Sequence, residues 1–187
     1  MIPLLVGAAL AAGVHGGIPV RGVPGIGEPS FQTPATGWTA AVEGGWVRVY
    51  VGPTEAAGED WSGRTLQTLG VPPAELAPFA PGIDAAHGDG DALVAFRDGN
   101  VAVLVRTSTG ARAVAEALHA AIVEDTAGPK APTIRASAGT WEVDAPSAVH
   151  ISFTGGRGVP FKRGVFTEPP RQIVVWDALG RATVLTP

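Results

Sequence analysis

The sequence predicts an α+β fold: an antiparallel sheet built from two β-β-α units with the helices on one face, completed by C-terminal β-strands ending in a hairpin. Three observations predict it. Residues 92–105 alternate apolar side chains on both sides of Asp98-Gly99, residues 111–122 change to a helical period, and residues 38–51 repeat the first pattern. Strict alternation marks strands, and recurrence every three or four residues marks one face of a helix.

In chain order, residues 1–17, MIPLLVGAALAAGVHGG, carry no charged side chain. The apolar run ends near Ala12, too short to span a bilayer. It resembles the h-region of a secretory signal followed by small residues, without the basic n-region. We therefore expect an exported protein, periplasmic or extracellular. The alternative is a cytoplasmic chain in which these residues form a core element. Residues 18–128 hold the two β-β-α units, beginning with a Gly- and Pro-rich segment up to Pro34 that predicts an extended, turn-punctuated path.

WTAAVEGGWVRVYV, residues 38–51, aligns without gaps on ALVAFRDGNVAVLV, residues 92–105, with five identities in fourteen. Gly44-Gly45 takes the place of Asp98-Gly99 as a two-residue turn, and Pro-Gly-Ile precedes each hairpin, at Pro24 and at Pro81. With those turns Val42 faces Val47 and Phe96 faces Val101, and each hairpin gathers its apolar side chains on one face. Agreement in turn, facing pattern and upstream motif points to a duplicated unit. Thr54 caps a first helix running to Leu69, although Gly58 and Gly63 each cost it about 1 kcal/mol relative to Ala. Pro73 can start one further turn. In the second unit Ser108 or Thr109 caps a helix with Val114, Leu118 and Ile122 on one face. Two such units make a four-stranded sheet.

Residues 129–187 read as an all-β segment. Val149, Ile151 and Phe153 alternate with His150, Ser152 and Thr154, and two strands flank Asp177-Ala-Leu-Gly180. This closing hairpin, with its Asp, Gly and following Val, resembles the last two strands of bacterial immunoglobulin-like modules, which implies a sandwich. The competing expectation is that these strands pack on the first units and cover the mixed face holding Leu93 and Leu104.

The chain of 187 residues has a formal charge of −4, no cysteine and no basic cluster. Nucleic-acid binding is disfavoured, because phosphate contacts need a basic face. Disulfides, thiolate metal sites and cysteine nucleophiles are excluded. His87, Asp89 and Asp91 come nearest to a metal cluster but lack the further oxygen ligands of a calcium loop. Hence no metal or cofactor is expected. The four histidines have no zinc spacing, and His119 and His150 are read as solvated. Ser152 beside His150 lacks a third group and an oxyanion site.

The feature that points to binding is the outer face of the first hairpin. There Trp46, Arg48 and Tyr50 project together, and these are residue types enriched in binding hot spots. The competing reading is that the C-terminal strands bury them. The sequence thus favours a non-catalytic exported or envelope-associated bacterial module, binding a protein or a cell-envelope component. The alternatives are a hydrolase-like enzyme drawing on Asp84, His87, Asp89 and Asp91, or a cytoplasmic accessory subunit.

Overall fold

The structure, a computed structural model, describes residues 13–31, 36–68, 76–88, 90–127, 130–154, 159–161, 164–168 and 170–186. The fold is α+β, and every strand pair among the described residues is antiparallel. Six strands make the main sheet: β1 (Trp38–Val42), β2 (Gly45–Val51), β3 (Leu76–Ala80), β4 (Ile83–Gly88), β5 (Leu93–Asp98) and β6 (Val101–Arg106), in the order β1-β2-β6-β5-β4-β3. Helix α1 (Glu55–Thr68) follows β2, and α2 (Ala111–Ala120) follows β6.

The sheet exceeds the expected four strands because β3 and β4 form a third hairpin around Pro81-Gly82, where Gly82 has φ +75°. Pro78 is tolerated in β3 because that strand is an edge. Residues 71–75, including the turn expected at Pro73, lie outside the described residues, as do residues 1–12 and Leu69.

Both expected hairpins form, but each turn moves by one residue. In the first, Val42 pairs with Gly45 and Ala40 with Val47, so Glu43-Gly44 is the turn. In the second, Asp98 pairs with Val101 and Phe96 with Val103, so Gly99-Asn100 is the turn. Gly99 has φ +53°, whereas Asn100 is not in a positive-φ conformation. That is the Gly-first pattern of a type II′ turn. The cause is Asn100, which is buried and fully bonded. Its side-chain oxygen accepts from the His15 amide at 2.6 Å, and its Nδ2 donates to the carbonyls of His15 (3.1 Å) and Gly52 (2.8 Å). The turns moved in opposite directions, so the gapless alignment of the two units does not describe their pairing. Their likeness is confined to which side chains share a face.

The helices lie on opposite faces of the sheet, a correction to the expectation that they share one. Val47, Val49, Val94, Phe96, Val103 and Val105 share a core with Ala111, Ala115 and Leu118 of α2. Ala86, Leu93, Ala95 and Leu104, on the other face, pack with Trp46 and with Trp61 and Leu66 around α1. The reason is that β5 and β6 are apolar on both faces, and each face needs its own cover. Thr54 caps α1 as expected, its Oγ1 accepting from the Ala57 amide at 3.2 Å. Neither Ser108 nor Thr109 caps α2. Instead Asp91 accepts from Arg112 through Oδ1 (3.0 Å) and from Ala111 through its carbonyl (2.9 Å).

The C-terminal strands are β7 (Thr133–Ser137), β8 (Thr140–Asp144), β9 (Ala148–Phe153), β10 (Val159–Pro160), β11 (Gly164–Phe166), β12 (Ile173–Asp177) and β13 (Ala182–Leu185). They form a four-stranded sheet, β10-β9-β12-β13, and a three-stranded sheet, β11-β8-β7. Val143, Ile151, Ile173 and Val175 fill the space between these two sheets. Val174 and Trp176 point the other way, into the main core with Phe31 and Trp38. Thus β12 is buried on both faces and links the two cores. The segment 13–31 fastens the parts together: Gly16 donates to the Val123 carbonyl (2.7 Å) and Val20 to that of Ala178 (3.0 Å).

Candidate functional site

Trp46, Arg48 and Tyr50 alternate along β2 with Val47, Val49 and Val51, which puts the three on the face that α1 crosses. The C-terminal strands cover the opposite face, so α1 is the element that partly buries this group. Tyr50 stacks on Trp61 of α1, with ring centroids 5.3 Å apart and planes 5° from parallel. Close approach is allowed by Gly58, where a Cβ would lie 2.9 Å from the Gly99 carbonyl oxygen. Trp46 is half-buried beside Leu104. Arg48 is exposed, with its guanidinium 5.5 Å from the Trp46 ring centre, and among the described residues it has no carboxylate partner. A guanidinium over an indole retains its planar donors for an incoming anion, and the ring adds cation–π attraction.

Arg48 lines two depressions. One, of about 230 Å³, is lined by Arg48, Trp61, Arg64, Thr65 and Thr68. The other, of about 170 Å³, is lined by Ser30, Thr36, Gly37, Trp38, Thr39, Arg48, Val49 and Trp61. Arg48 and Trp61 therefore form their common wall. A third and larger groove, about 380 Å³, lies where the main sheet meets the C-terminal strands, with Thr36, Gly52, Pro53, Lys130, Ser147, Arg181 and Thr183 in its lining. In that groove Arg181 is oriented by Asp177, which accepts from its Nε at 2.7 Å. The other Asp177 oxygen accepts from the amides of Leu179 (2.8 Å) and Arg181 (3.1 Å), so this carboxylate organises the β12–β13 turn.

The other titratable side chains have structural placements. Asp98 stands between two imidazoles: His15 Nε2 lies 2.9 Å from Oδ1, and His119 Nε2 lies 3.3 Å from Oδ2. Because a carboxylate only accepts, the His15 Nε2 must carry the hydrogen of its bond to Asp98, which fixes the tautomer of that ring when it is neutral. His119 also meets Phe79 and Phe96 edge-on, so it is not the solvated residue expected. His150 is buried rather than solvated, its ring tilted 37° to that of Phe31 with centroids 4.2 Å apart, and with no partner for Nδ1. Burial, and then the positive charge of Arg21, hold its pKa below the ordinary imidazole value, with Glu28 opposing in part. Ser152 is buried on the same strand.

Three of the four enzyme suspects fall among the described residues. Asp91 caps α2, Asp84 is exposed, Nε2 of His87 is buried without a partner, and Asp89 lies outside the described residues. Among the described residues no group of three or more His, Asp or Glu is placed to hold a metal ion. No described helix is long and apolar enough to cross a membrane.

Sequence reasoning missed Trp61, Lys130 and Arg181. Trp61 falls within the helix expected over the other face of the sheet, and its signal is Gly58 three residues before it, small enough for helix and sheet to touch. Lys130 and Arg181 carry no local signal, since they meet the groove only after the C-terminal sheets dock. Compared with known proteins, the chain matches no family model, no curated protein and no solved structure.

Proposed function

We propose that this chain is a non-catalytic binding module of an exported or envelope-associated bacterial protein. It takes an acidic group of a protein or cell-envelope component at Arg48. One observation carries the reading: Arg48 is an exposed guanidinium without a carboxylate partner among the described residues, backed by Trp46, and it lines two depressions. Most surface arginines among the described residues are paired, as Arg21 is with Glu28, Arg64 with Asp60 and Arg112 with Glu116. An unpaired one framed by aromatic rings offers charge-assisted, forked hydrogen bonds with the rings excluding water from their flank.

Export is supported by the uncharged apolar run of residues 1–12, which resembles the h-region of a secretory signal. Native protein recovered outside the cytoplasm is expected to begin near Gly13. A full-length cytoplasmic form would overturn the location.

The binding reading is tested by calorimetric titration of the full chain with two acidic probes, polygalacturonate and poly-glutamate. Arg48→Gln is expected to abolish or weaken binding by about tenfold, with the melting temperature unchanged. If Arg48→Gln binds both probes as the native chain does, the reading fails.

A further inference from the structure

We propose that the three depressions are successive subsites of one furrow, and that its occupant is an extended acidic glycan bearing uronate carboxylates. This rests on the reading of Arg48 as a binding residue and names the class of ligand.

Continuity is the first argument. Arg48 and Trp61 line both of the smaller depressions, and Thr36 lines both the second of these and the large groove at the sheet junction. The furrow thus runs from Arg64 and Thr68 on α1, past Arg48 on β2, to Lys130 and Arg181 beside the C-terminal sheets.

Charge is the second. The chain as a whole is acidic, at −4, yet Arg64, Arg48, Lys130 and Arg181 all line this path. Asp177 is the only carboxylate in the three linings, and Arg181 with two amides already occupies its oxygens. Arg48 and Lys130 have no carboxylate partner among the described residues, and Arg181 is held through Nε, leaving its two terminal amino groups for a ligand. A ligand with negative charge at intervals matches cations distributed this way, whereas a single small anion engages one of them.

The remaining lining decides between glycan and peptide. Trp61 supplies a flat apolar wall against which the C–H face of a sugar ring packs, and Thr36, Thr65, Ser147 and Thr183 supply hydroxyls at intervals along the path. Alternating carboxylates and hydroxyls are the chemistry of a uronate polymer. An acidic polypeptide such as poly-glutamate carries the carboxylates but not the ring faces and hydroxyls that Trp61 and these side chains would meet.

The test is calorimetric titration of the full chain with galacturonic acid, an oligogalacturonide, a neutral oligosaccharide of equal length and poly-glutamate. The oligogalacturonide is expected to bind at least about tenfold tighter than the monosaccharide, because its second contact is intramolecular. Arg48→Gln and Lys130→Gln are each expected to weaken it about tenfold, with the native melting temperature, and added salt is expected to weaken it further. If the oligomer binds no tighter than the monosaccharide, or if Lys130→Gln changes nothing while Arg48→Gln abolishes binding, the furrow is overturned and the Arg48 reading stands. Tighter binding of poly-glutamate or of the neutral sugar overturns the glycan. Indifference to both substitutions overturns both readings.

Discussion

His150 shows how one side chain links burial to pH. Its neighbours Val149 and Ile151 were legible as inward-facing, and the alternation then assigned His150 to water. That inference assumes one wet face. Strand β9 pairs with β12, whose two faces are both buried, so His150 lies against Phe31 beside Trp176. Burial and the Arg21 charge disfavour the imidazolium in the folded state. As pH falls through about 6.5, the unfolded chain takes up a proton that the folded chain resists, so stability declines below that value until the folded pKa is reached. The melting temperature is therefore expected to drop between pH 7 and pH 5.5, and His150→Leu to flatten the slope. An unchanged slope in that variant would remove His150 as the cause. Asn100 teaches a related lesson. Its three hydrogen bonds reach His15 and Gly52, partners that no local reading can supply, and they decide which residues make the turn.

Among the elements, the sequence was informative about faces and silent about order. A turn displaced by one residue changes the pairing sum by two, which leaves every side chain on its original face. The apolar sets of β2, β5 and β6 were therefore readable although the registers were not. The β3–β4 hairpin escaped because Pro81-Gly82 looked like a repeated upstream motif rather than a turn. Helix α1 carries the sharpest test of its placement in its two glycines. A Cβ at Gly58 would lie 2.9 Å from the Gly99 carbonyl oxygen, whereas one at Gly63 meets nothing within 4 Å. Gly63→Ala is expected to stabilise the protein by about 0.5–1 kcal/mol through helix propensity. Gly58→Ala, despite the same propensity gain, is expected to destabilise it. Urea unfolding of both variants checks the pair, and equal shifts of the same sign would mean that α1 does not touch the β5–β6 turn.

At the scale of the molecule, the three sheets and two helices among the described residues enclose three hydrophobic clusters, two of them joined through β12, whose Ile173 and Val175 face one and Val174 and Trp176 the other. Its uninterrupted apolar run is the sequence signature of a strand with no wet face. The candidate site was half legible for the same reason. Trp46, Arg48 and Tyr50 follow from alternation within one strand, whereas Trp61, Lys130 and Arg181 arrive from elements brought to the site by long-range packing. Segment 13–31 spans the arrangement, bonded to the β5–β6 turn at Asn100, to the chain after α2 at Val123 and to the β12–β13 turn at Ala178. That clasp has a mechanical consequence. Tension applied ahead of Gly13 enters the centre of the six-stranded sheet first, through the paired bonds of His15 with Asn100. It reaches the C-terminal strands only after those bonds and the Gly16–Val123 contact have parted, so a pull on this end is resisted in stages.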